Sequence, residues 1–251
     1  MASRRLRYFS AHLLTSAILV GVACGLVLVF WYPAPVAKLE GIYQILLVMA
    51  CVDVCAGPLC TLVAAAPTKS RPALARDLAV IATVQLAALG LAVYTAAIAR
   101  PAFIVYSVGQ FEVEHANELT PEALAKAADP AFATAPWRGP RYVEAEFPKD
   151  SQEAMKLVNS AIGGGPDIKD LPQYYHAWPD KDSQARDKAR PATGLSLKGE
   201  LRGKVLAMLA NASVPESDGI VLPISGKTER GTVVLRRSDL AILGVVPYLS
   251  P

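Results

Sequence analysis

Three long runs of apolar residues occupy the first hundred positions of the chain. They contain 18, 25 and 22 residues, and the single charge within them is Asp53. A lipid hydrocarbon core about 30 Å thick needs about 20 apolar residues in a helix that rises about 1.5 Å per residue. Helices of a soluble core would carry a polar face, which these runs lack. The pattern therefore predicts three transmembrane helices, at about 13–31, 42–66 and 78–99.

Basic residues are distributed unevenly between the two ends of these helices. Six lie before the first run or between the second and the third, namely Arg4, Arg5, Arg7, Lys69, Arg71 and Arg76. Lys38 and Arg100 lie on the opposite side. Because positively charged loops tend to stay in the cytoplasm, we expect a cytoplasmic N-terminus. The first connection and the chain beyond residue 100 are then on the outer side.

The end of the first apolar run carries an aromatic segment, Phe30-Trp31-Tyr32-Pro33. The run is longer than the roughly 7–15 residues of a signal-peptide core, so we expect the helix to be retained. Trp and Tyr favour the headgroup layer of a bilayer, and Pro ends a helix. This segment is therefore predicted to form an aromatic collar at the outer interface.

Residues 101–251 mix strand and helix patterns and predict a separate globular domain. Stretches rich in β-formers at 102–108 and 111–114 open it, and Pro121 marks the start of a helix. The segment 128–150 is rich in Pro, Ala and Gly and is predicted to be irregular.

The second half of this domain is predicted to contain two helices and three strands. Ser151–Ile162 is a helix that the following glycine run ends. Apolar residues at helical spacing predict another helix at 196–210. Strands are predicted at 219–224, 232–235 and 241–246. Strands at both ends with helices between them favour an α+β fold with a mostly antiparallel sheet.

Charge and cysteine content follow the same division of the chain. The first 99 residues carry 7 of the 25 basic and 3 of the 22 acidic side chains, so the outer domain is nearly neutral. A nucleic-acid-binding domain would cluster Lys and Arg on one face, and the sequence has no such cluster. The cysteines are Cys24, Cys51, Cys55 and Cys60. All lie in predicted helices, so the outer domain is expected to fold without disulfides.

Asp53 lies in the middle of the second predicted helix, four residues before Gly57-Pro58. An ionisable group at this depth costs about 2.5–3.5 kcal/mol to insert and usually faces another helix or a cavity. Pro58 removes a backbone donor and should bend the helix. Three interpretations stay open. Asp53 bonds within the bundle, to Gln85 or a backbone carbonyl; it contacts a partner's helix; or it takes part in transport.

The outer domain carries no sequence motif of a catalytic or metal-binding centre. We therefore predict no catalytic residue, no cofactor and no metal ligand. The aromatic stretch that contains Tyr174, Tyr175 and Trp178 is either a packed loop or a binding surface. An absence of chemical motifs favours a protein that acts through contacts.

Several short motifs occur in a fixed order along the chain. They are Trp31-Tyr32-Pro33, Asp53-x-x-x-Gly57-Pro58-Leu59, Arg76-Asp77-Leu78-Ala79, Gln85, Arg100-Pro101, Phe111-Glu112 and Ala116-Asn117-Glu118-Leu119. With this order and spacing, the chain resembles the TfpX/TfpZ family of type IV pilin accessory proteins over residues 1 to about 120. The outer half beyond that point follows the family only in outline.

The resemblance implies a multi-pass protein of a bacterial inner membrane with a periplasmic domain. Its implied role is chaperone-like support of type IV pilin stability or pilus assembly, without catalysis. The implied partners are a type IV pilin or minor pilin and other inner-membrane pilus assembly proteins. Candidate partner-contact residues are Trp31, Asp53, Gly57, Pro58, Gln85, Arg100 and Tyr175.

Two surfaces are expected to serve these contacts. Asp53, Gly57 and Pro58 would shape a surface for the membrane helix of a pilin, and the strands of 102–119 with the 172–180 loop would contact its head. The main alternative is a membrane-anchored sensor that binds a ligand outside and signals through another membrane protein. Transport and enzymatic activity find less support, because the spans hold a single predicted ionisable group and the outer domain lacks catalytic motifs.

Overall fold

The structure, a computed structural model, describes residues 2–180, 183–194 and 199–248. Within these ranges the chain forms two compact units. The first unit contains the described residues up to Trp31 together with Ile42–Ile98. The second unit contains Tyr32–Gly41 and the described residues from Ala99 onward. The connection after the first long helix is therefore built into the C-terminal unit.

The first unit consists of three helical stretches. In chain order, and including the connection, the helices are α1 (Ala2–Leu26), a π-helical turn (Val27–Trp31), α2 (Ala34–Leu39), α3 (Ile42–Ala50), a π-helical turn (Cys51–Ala56), α4 (Gly57–Ala64) and α5 (Arg71–Ile98). Three continuous stretches of 28, 23 and 28 residues are long and apolar enough to cross a membrane. The prediction of three membrane helices is confirmed.

The three stretches pack around the middle one. Both α1 and α5 make their main contacts with the central stretch formed by α3, its π-helical turn and α4. Many large apolar side chains remain exposed, among them Ile18, Leu47, Val63, Val84 and Leu91. A soluble protein rarely exposes contiguous apolar surface on this scale, and a lipid bilayer covers it without cost.

The second unit is built on one mixed sheet. Its strands are β1 (Pro101–Ser107), β2 (Gln110–His115), β3 (Arg141–Ala145), β4 (Tyr175–Ala177), β5 (Arg190–Pro191), β6 (Gly219–Ser225), β7 (Arg230–Arg236) and β8 (Ile242–Tyr248). Their order is β4-β3-β1-β2-β6-β7-β8, with β5 paired to β6. The pairs β1/β3 and β2/β6 are parallel and the others are antiparallel. The predicted α+β fold with a mostly antiparallel sheet is confirmed.

The helices of this unit follow the sequence signals closely. They are α6 (Pro121–Leu124), α7 (Ser151–Ile162), α8 (Ala185–Lys188) and α9 (Gly199–Asn211). Gly163 ends α7, as the glycine run predicts. The helix predicted at 196–210 corresponds to α9, and residues 196–198 of that prediction lie outside the described residues.

Two strands replace segments that the sequence predicts to be irregular or a loop. The prediction for 128–150 is wrong over β3, whose residues pair in parallel with β1, as in Val105 opposite Val143. The aromatic stretch contributes β4, with Tyr175 opposite Ala145. Both strands are short, and long-range pairing supplies what local propensity does not.

The sheet is buried on both faces, which explains why β1 carries large apolar or aromatic side chains from Phe103 to Tyr106. On one face, Ile104 of β1 packs with Leu39 of α2 and with alternate residues of β6 and β7. On the other face, Phe103 packs with Tyr175, and α9 covers β7 and β8 through Leu209. The connection that carries α2 is thus a layer of the second unit.

Backbone hydrogen bonds fix this connection to the turn between β6 and β7. The Leu39 carbonyl oxygen accepts from the backbone N–H groups of Thr228 and Glu229, at 2.9 and 3.0 Å. A Cβ at Gly226 would come within 2.6 Å of the same oxygen, so glycine permits the close approach. Residues so bonded lie on one side of any membrane that the helices cross.

Trp31 and Tyr32 do not form the predicted collar in the lipid headgroup layer. They are only 8% and 4% exposed, because both are buried in protein. The Tyr32 hydroxyl donates a hydrogen bond of 2.9 Å to the Ala99 carbonyl oxygen. This bond joins the residues that follow the first and the third long helix, and it gives the aromatic segment a structural role.

A buried ionic cluster completes the attachment of the connection. His115 Nε2 lies 2.6 Å from Glu40 Oε2, and His115 Nδ1 lies 2.8 Å from Glu118 Oε2. Lys227 Nζ lies 3.0 Å from the other oxygen of Glu118. Burial alone would lower the pKa of His115, but the two carboxylates raise it above its usual value. His115, which lies between two carboxylates, therefore connects residue 40 with β2.

The raised pKa of His115 makes the stability of the second unit depend on pH. The pKa of His115 is higher in the folded chain than in the unfolded one. Its contribution is therefore complete below about pH 6.5 and is lost as the pH rises through the folded-state pKa. We expect the denaturant midpoint of unfolding of the purified full chain to fall as the pH rises above about 6.5.

Glu40→Gln should lower the free energy of unfolding at neutral pH by about 1.5–3 kcal/mol, the usual value of a hydrogen bond to a charged group. It should also make the free energy of unfolding depend less on pH. Glu216→Gln, at an exposed position, is the matched control and should keep the original slope. Equal slopes in all three proteins would contradict the assignment to His115.

Candidate functional site

The helix bundle holds a polar cluster around Asp53. This residue is 4% exposed and belongs to the π-helical turn between α3 and α4. Gln85 of α5 donates from Nε2 to the Asp53 backbone oxygen at 2.9 Å, and the same nitrogen lies 3.4 Å from Asp53 Oδ1. The fold therefore brings the Gln85 amide and the Asp53 carboxyl group together in the middle of the bundle.

The hydrogen-bond register of the π-helical turn explains why Gln85 is needed. The Gly57 N–H donates to the Val52 carbonyl oxygen, five residues back. In this register the next donor would be residue 58 and its acceptor would be the Asp53 carbonyl oxygen. Pro58 has no N–H. The Gln85 side chain supplies the missing donor, because an unpaired backbone oxygen is costly inside a bilayer.

Gly57 makes room for this substitute donor. A Cβ at this position would overlap the Gln85 amide group. Asp53, Gly57, Pro58 and Gln85, which the sequence motif links, therefore converge in one arrangement. Among the interpretations of Asp53, the structure shows the bond within the bundle, and a partner contact stays a prediction.

A groove lies beside this cluster. It has a volume of about 360 Å³ and is partly open. Its polar lining residues are Tyr8, His12, Thr15, Ser16, Asp53, Thr61 and Gln85. His12 Nδ1 and Thr61 Oγ1 lie 2.5 Å apart and hold α1 against α4. The rest of the lining is apolar and comes mostly from α1 and α5.

The groove is elongated along the helices. Its lining residues extend over Tyr8–Val20 in α1 and over Leu78–Leu89 in α5. At about 1.5 Å per residue these stretches correspond to about 18 and 17 Å. An apolar trough of this length with a polar floor suits a segment of another membrane helix that carries one polar side chain.

The other predicted contact residues do not join this cluster. Trp31 is buried at the end of the first stretch. Arg100 belongs to the second unit and is 9% exposed, and its Nε donates to the Pro136 carbonyl oxygen at 2.9 Å. Tyr175 is 2% exposed, with its ring centroid 5.2 Å from that of Phe103. These three side chains support the fold around them.

Sequence reasoning missed His12, which precedes the first apolar run, and the pairing of Glu40 with His115. Neither has a local signal, because each partner is distant in the sequence. Glu114 is also buried beside Lys169, at 2.8 Å, and burial raises the pKa of this carboxyl to about 7. Among the described residues, no group of three His, Cys, Asp or Glu side chains is arranged to hold a metal ion.

Comparison with known proteins points to fimbrial assembly. The family model described as Fimbrial assembly protein FimB matches residues 2–41. This stretch contains α1 and the connection that packs in the outer unit. No solved structure shows a significant match.

Three curated proteins of Dichelobacter nodosus are similar to this chain. The fimbrial assembly proteins of serogroups I and E1 are each 26% identical over 230 residues, which is 90% of this chain and 89% of theirs. The fimbrial assembly protein of serogroups C1 and C2 is 28% identical over 116 residues, 46% of this chain and 88% of its own length. The similarity to the first two therefore extends over both units.

The substitute-donor arrangement can be tested by a double-mutant cycle. Gln85→Leu should cost about 0.6–1.7 kcal/mol, the range for hydrogen bonds between membrane helices. Pro58→Ala restores a backbone N–H, so Gln85→Leu should cost less than half as much in that background. The measurement is denaturant unfolding of the full chain in detergent micelles.

Gly90→Ala serves as a control in the same bundle, because its added Cβ would meet nothing within 4 Å. It should leave stability unchanged or slightly raised. An equal cost of Gln85→Leu with and without Pro58 would show that the amide does not replace the proline's missing donor.

Proposed function

We propose that this protein is a non-catalytic accessory factor for type IV pilus assembly in a bacterial inner membrane, similar in role to the TfpX/TfpZ proteins. The observation that carries the proposal is the similarity to fimbrial assembly proteins over 90% of the chain. Three helices that are long and apolar enough to cross a membrane support a location in a bilayer. Pilin subunits wait for assembly in such a membrane, each held by one apolar helix with a globular head outside.

The outer unit faces the periplasm in this proposal. Six basic residues at the N-terminus and in the second connection favour a cytoplasmic position for these segments. The first connection packs with the C-terminal unit, which is consistent with both lying on the opposite side. The unit is then on the side where pilin heads are.

The groove beside Asp53 is the proposed binding site for the pilin's membrane helix. Apolar side chains of α1 and α5 form its walls, and small or polar residues form its floor. Gln85 Oε1 is buried and has no hydrogen-bond partner within the described part of the chain. Gln85 and Asp53 line the groove. A rotation of the Gln85 amide toward it would offer this acceptor to a donor on an incoming helix, and such bonds help membrane helices associate.

A second contact with the pilin head is proposed for the outer unit. Most of β1 and β2 is buried, so the accessible parts of 102–119 are the turn between these strands and residues 117–118. Val108 at this turn is 80% exposed with φ 48°. Within 172–180, His176 is exposed. A protein that holds both stem and head keeps a pilin protected until it is transferred to the pilus.

The orientation can be tested with single added cysteines. Thr68→Cys in the second connection should be protected from a membrane-impermeant maleimide in spheroplasts, and Ser217→Cys in the outer unit should be labelled. Both positions are exposed, and the native cysteines lie within the membrane helices. Labelling of Thr68→Cys but not of Ser217→Cys would indicate the opposite topology and contradict the proposed one.

Photo-crosslinking in native membranes tests the groove itself. A photo-reactive amino acid in place of Leu86, which lines the groove, should capture a pilin or minor pilin. The same group in place of Val84, exposed on α5 but outside the groove, should not. A deletion strain should show strongly reduced piliation.

Two results would count against this function. Capture of an unrelated receptor from position 86, with normal piliation in the deletion strain, would favour a membrane-anchored sensor. Equal capture of pilin at positions 84 and 86 would keep the assembly role but remove the groove as its site.

A further inference from the structure

The depth of residue 100 in the membrane follows from the sequence of α5. Its uncharged run begins after Asp77 and contains the 22 residues 78–99. At about 1.5 Å per residue this run is about 33 Å long, close to the hydrocarbon thickness of about 30 Å. The run therefore fills the hydrocarbon core. Arg100, the next residue, lies at the level of the lipid headgroups.

Arg100 holds a distant segment of the outer unit at this level. Its side chain donates to the carbonyl oxygens of Pro136 at 2.9 Å and Ala135 at 3.2 Å. Its guanidinium carbon also lies 4.6 Å from the centroid of the Trp137 ring. A cation over an aromatic face is attracted by the ring. The position of Trp137 is thus set by a residue immediately after a membrane span.

Trp137 is unusual for a tryptophan of a folded domain, because 63% of its surface is exposed. The adjacent Arg138 is also exposed. Indole rings concentrate at the headgroup level of membrane proteins, and arginine side chains interact with lipid phosphates. Trp137 and Arg138 therefore have the chemistry expected at the headgroup level, which is where the length of the uncharged run in α5 puts Arg100.

We propose that Trp137 and Arg138 form a membrane-contact site of the outer unit, with the indole ring in the headgroup layer and the guanidinium group beside the lipid phosphates. Arg100 is the positioning residue. The ligand is the lipid of the same bilayer that the chain crosses. This contact sets the height of the 135–138 segment, and it is independent of any pilin.

The proposal is tested by fluorescence of the full chain in vesicles made from ordinary or brominated phosphatidylcholine. Bromine on the upper acyl chain quenches indoles near the interface. Trp137→Phe should reduce the lipid-quenched fluorescence by about half, since Trp31 at the end of the first membrane helix supplies the remainder and Trp178 packs in the core of the second unit. Trp178→Phe, matched in chemistry, should leave the lipid-quenched signal unchanged.

Arg100→Lys keeps the charge but removes the planar group that stacks on the ring. It should expose Trp137 to a soluble quencher such as iodide and weaken its quenching by brominated lipid. The pH profile of unfolding, which reports on His115, should stay as in the parent chain. Quenching of Trp137 by iodide but not by lipid in the parent chain would overturn the proposal. Shielding from both quenchers would also overturn it, because protein would then cover the ring.

Discussion

The carbonyl oxygen of Leu39 occupies a position on which much of the outer unit depends. Two backbone N–H groups of the β6–β7 turn converge on it, and Gly226 leaves the space for that approach. The side chain of Leu39 is fully buried in the core against the sheet. A short connection between two membrane helices is therefore a structural layer of the second unit. The other residues of that unit begin about sixty positions later in the sequence.

Composition and spacing were sufficient to predict the membrane helices, since an uncharged run of twenty residues has few other stable environments. They also predicted the helix Ser151–Ile162 and the three final strands, whose local signals agree with their final pairing. β3 and β4 were not predicted, because each is short and is stabilised by a neighbour far away in sequence. The packing of residues 32–41 in the second unit could not be predicted for the same reason, because nothing in those ten residues indicates a partner at position 228.

The candidate site also combines features that the sequence predicted with features that it did not. The sequence suggested Gln85 as one partner of the Asp53 side chain. In the structure the shorter bond from Gln85 goes to the Asp53 backbone oxygen. The sequence did not reveal that a π-helical register determines which carbonyl is left without a donor. It also did not reveal that Tyr175 is buried. Aromatic residues in a stretch without regular periodicity are compatible with a surface or a core, and here Tyr175 packs against Phe103.

The hydrogen bonds between residues 39 and 228 also constrain the order of events during synthesis. A ribosome completes the first membrane helix long before it makes the β6–β7 turn. The connection must therefore remain without its final partners while most of the chain is synthesised. Contacts of such sequence separation form late and slowly. The apolar face of α2 is exposed during this interval, and a bilayer surface can shield it. Loss of the last strands would therefore affect a segment near the N-terminus as severely as the C-terminal end.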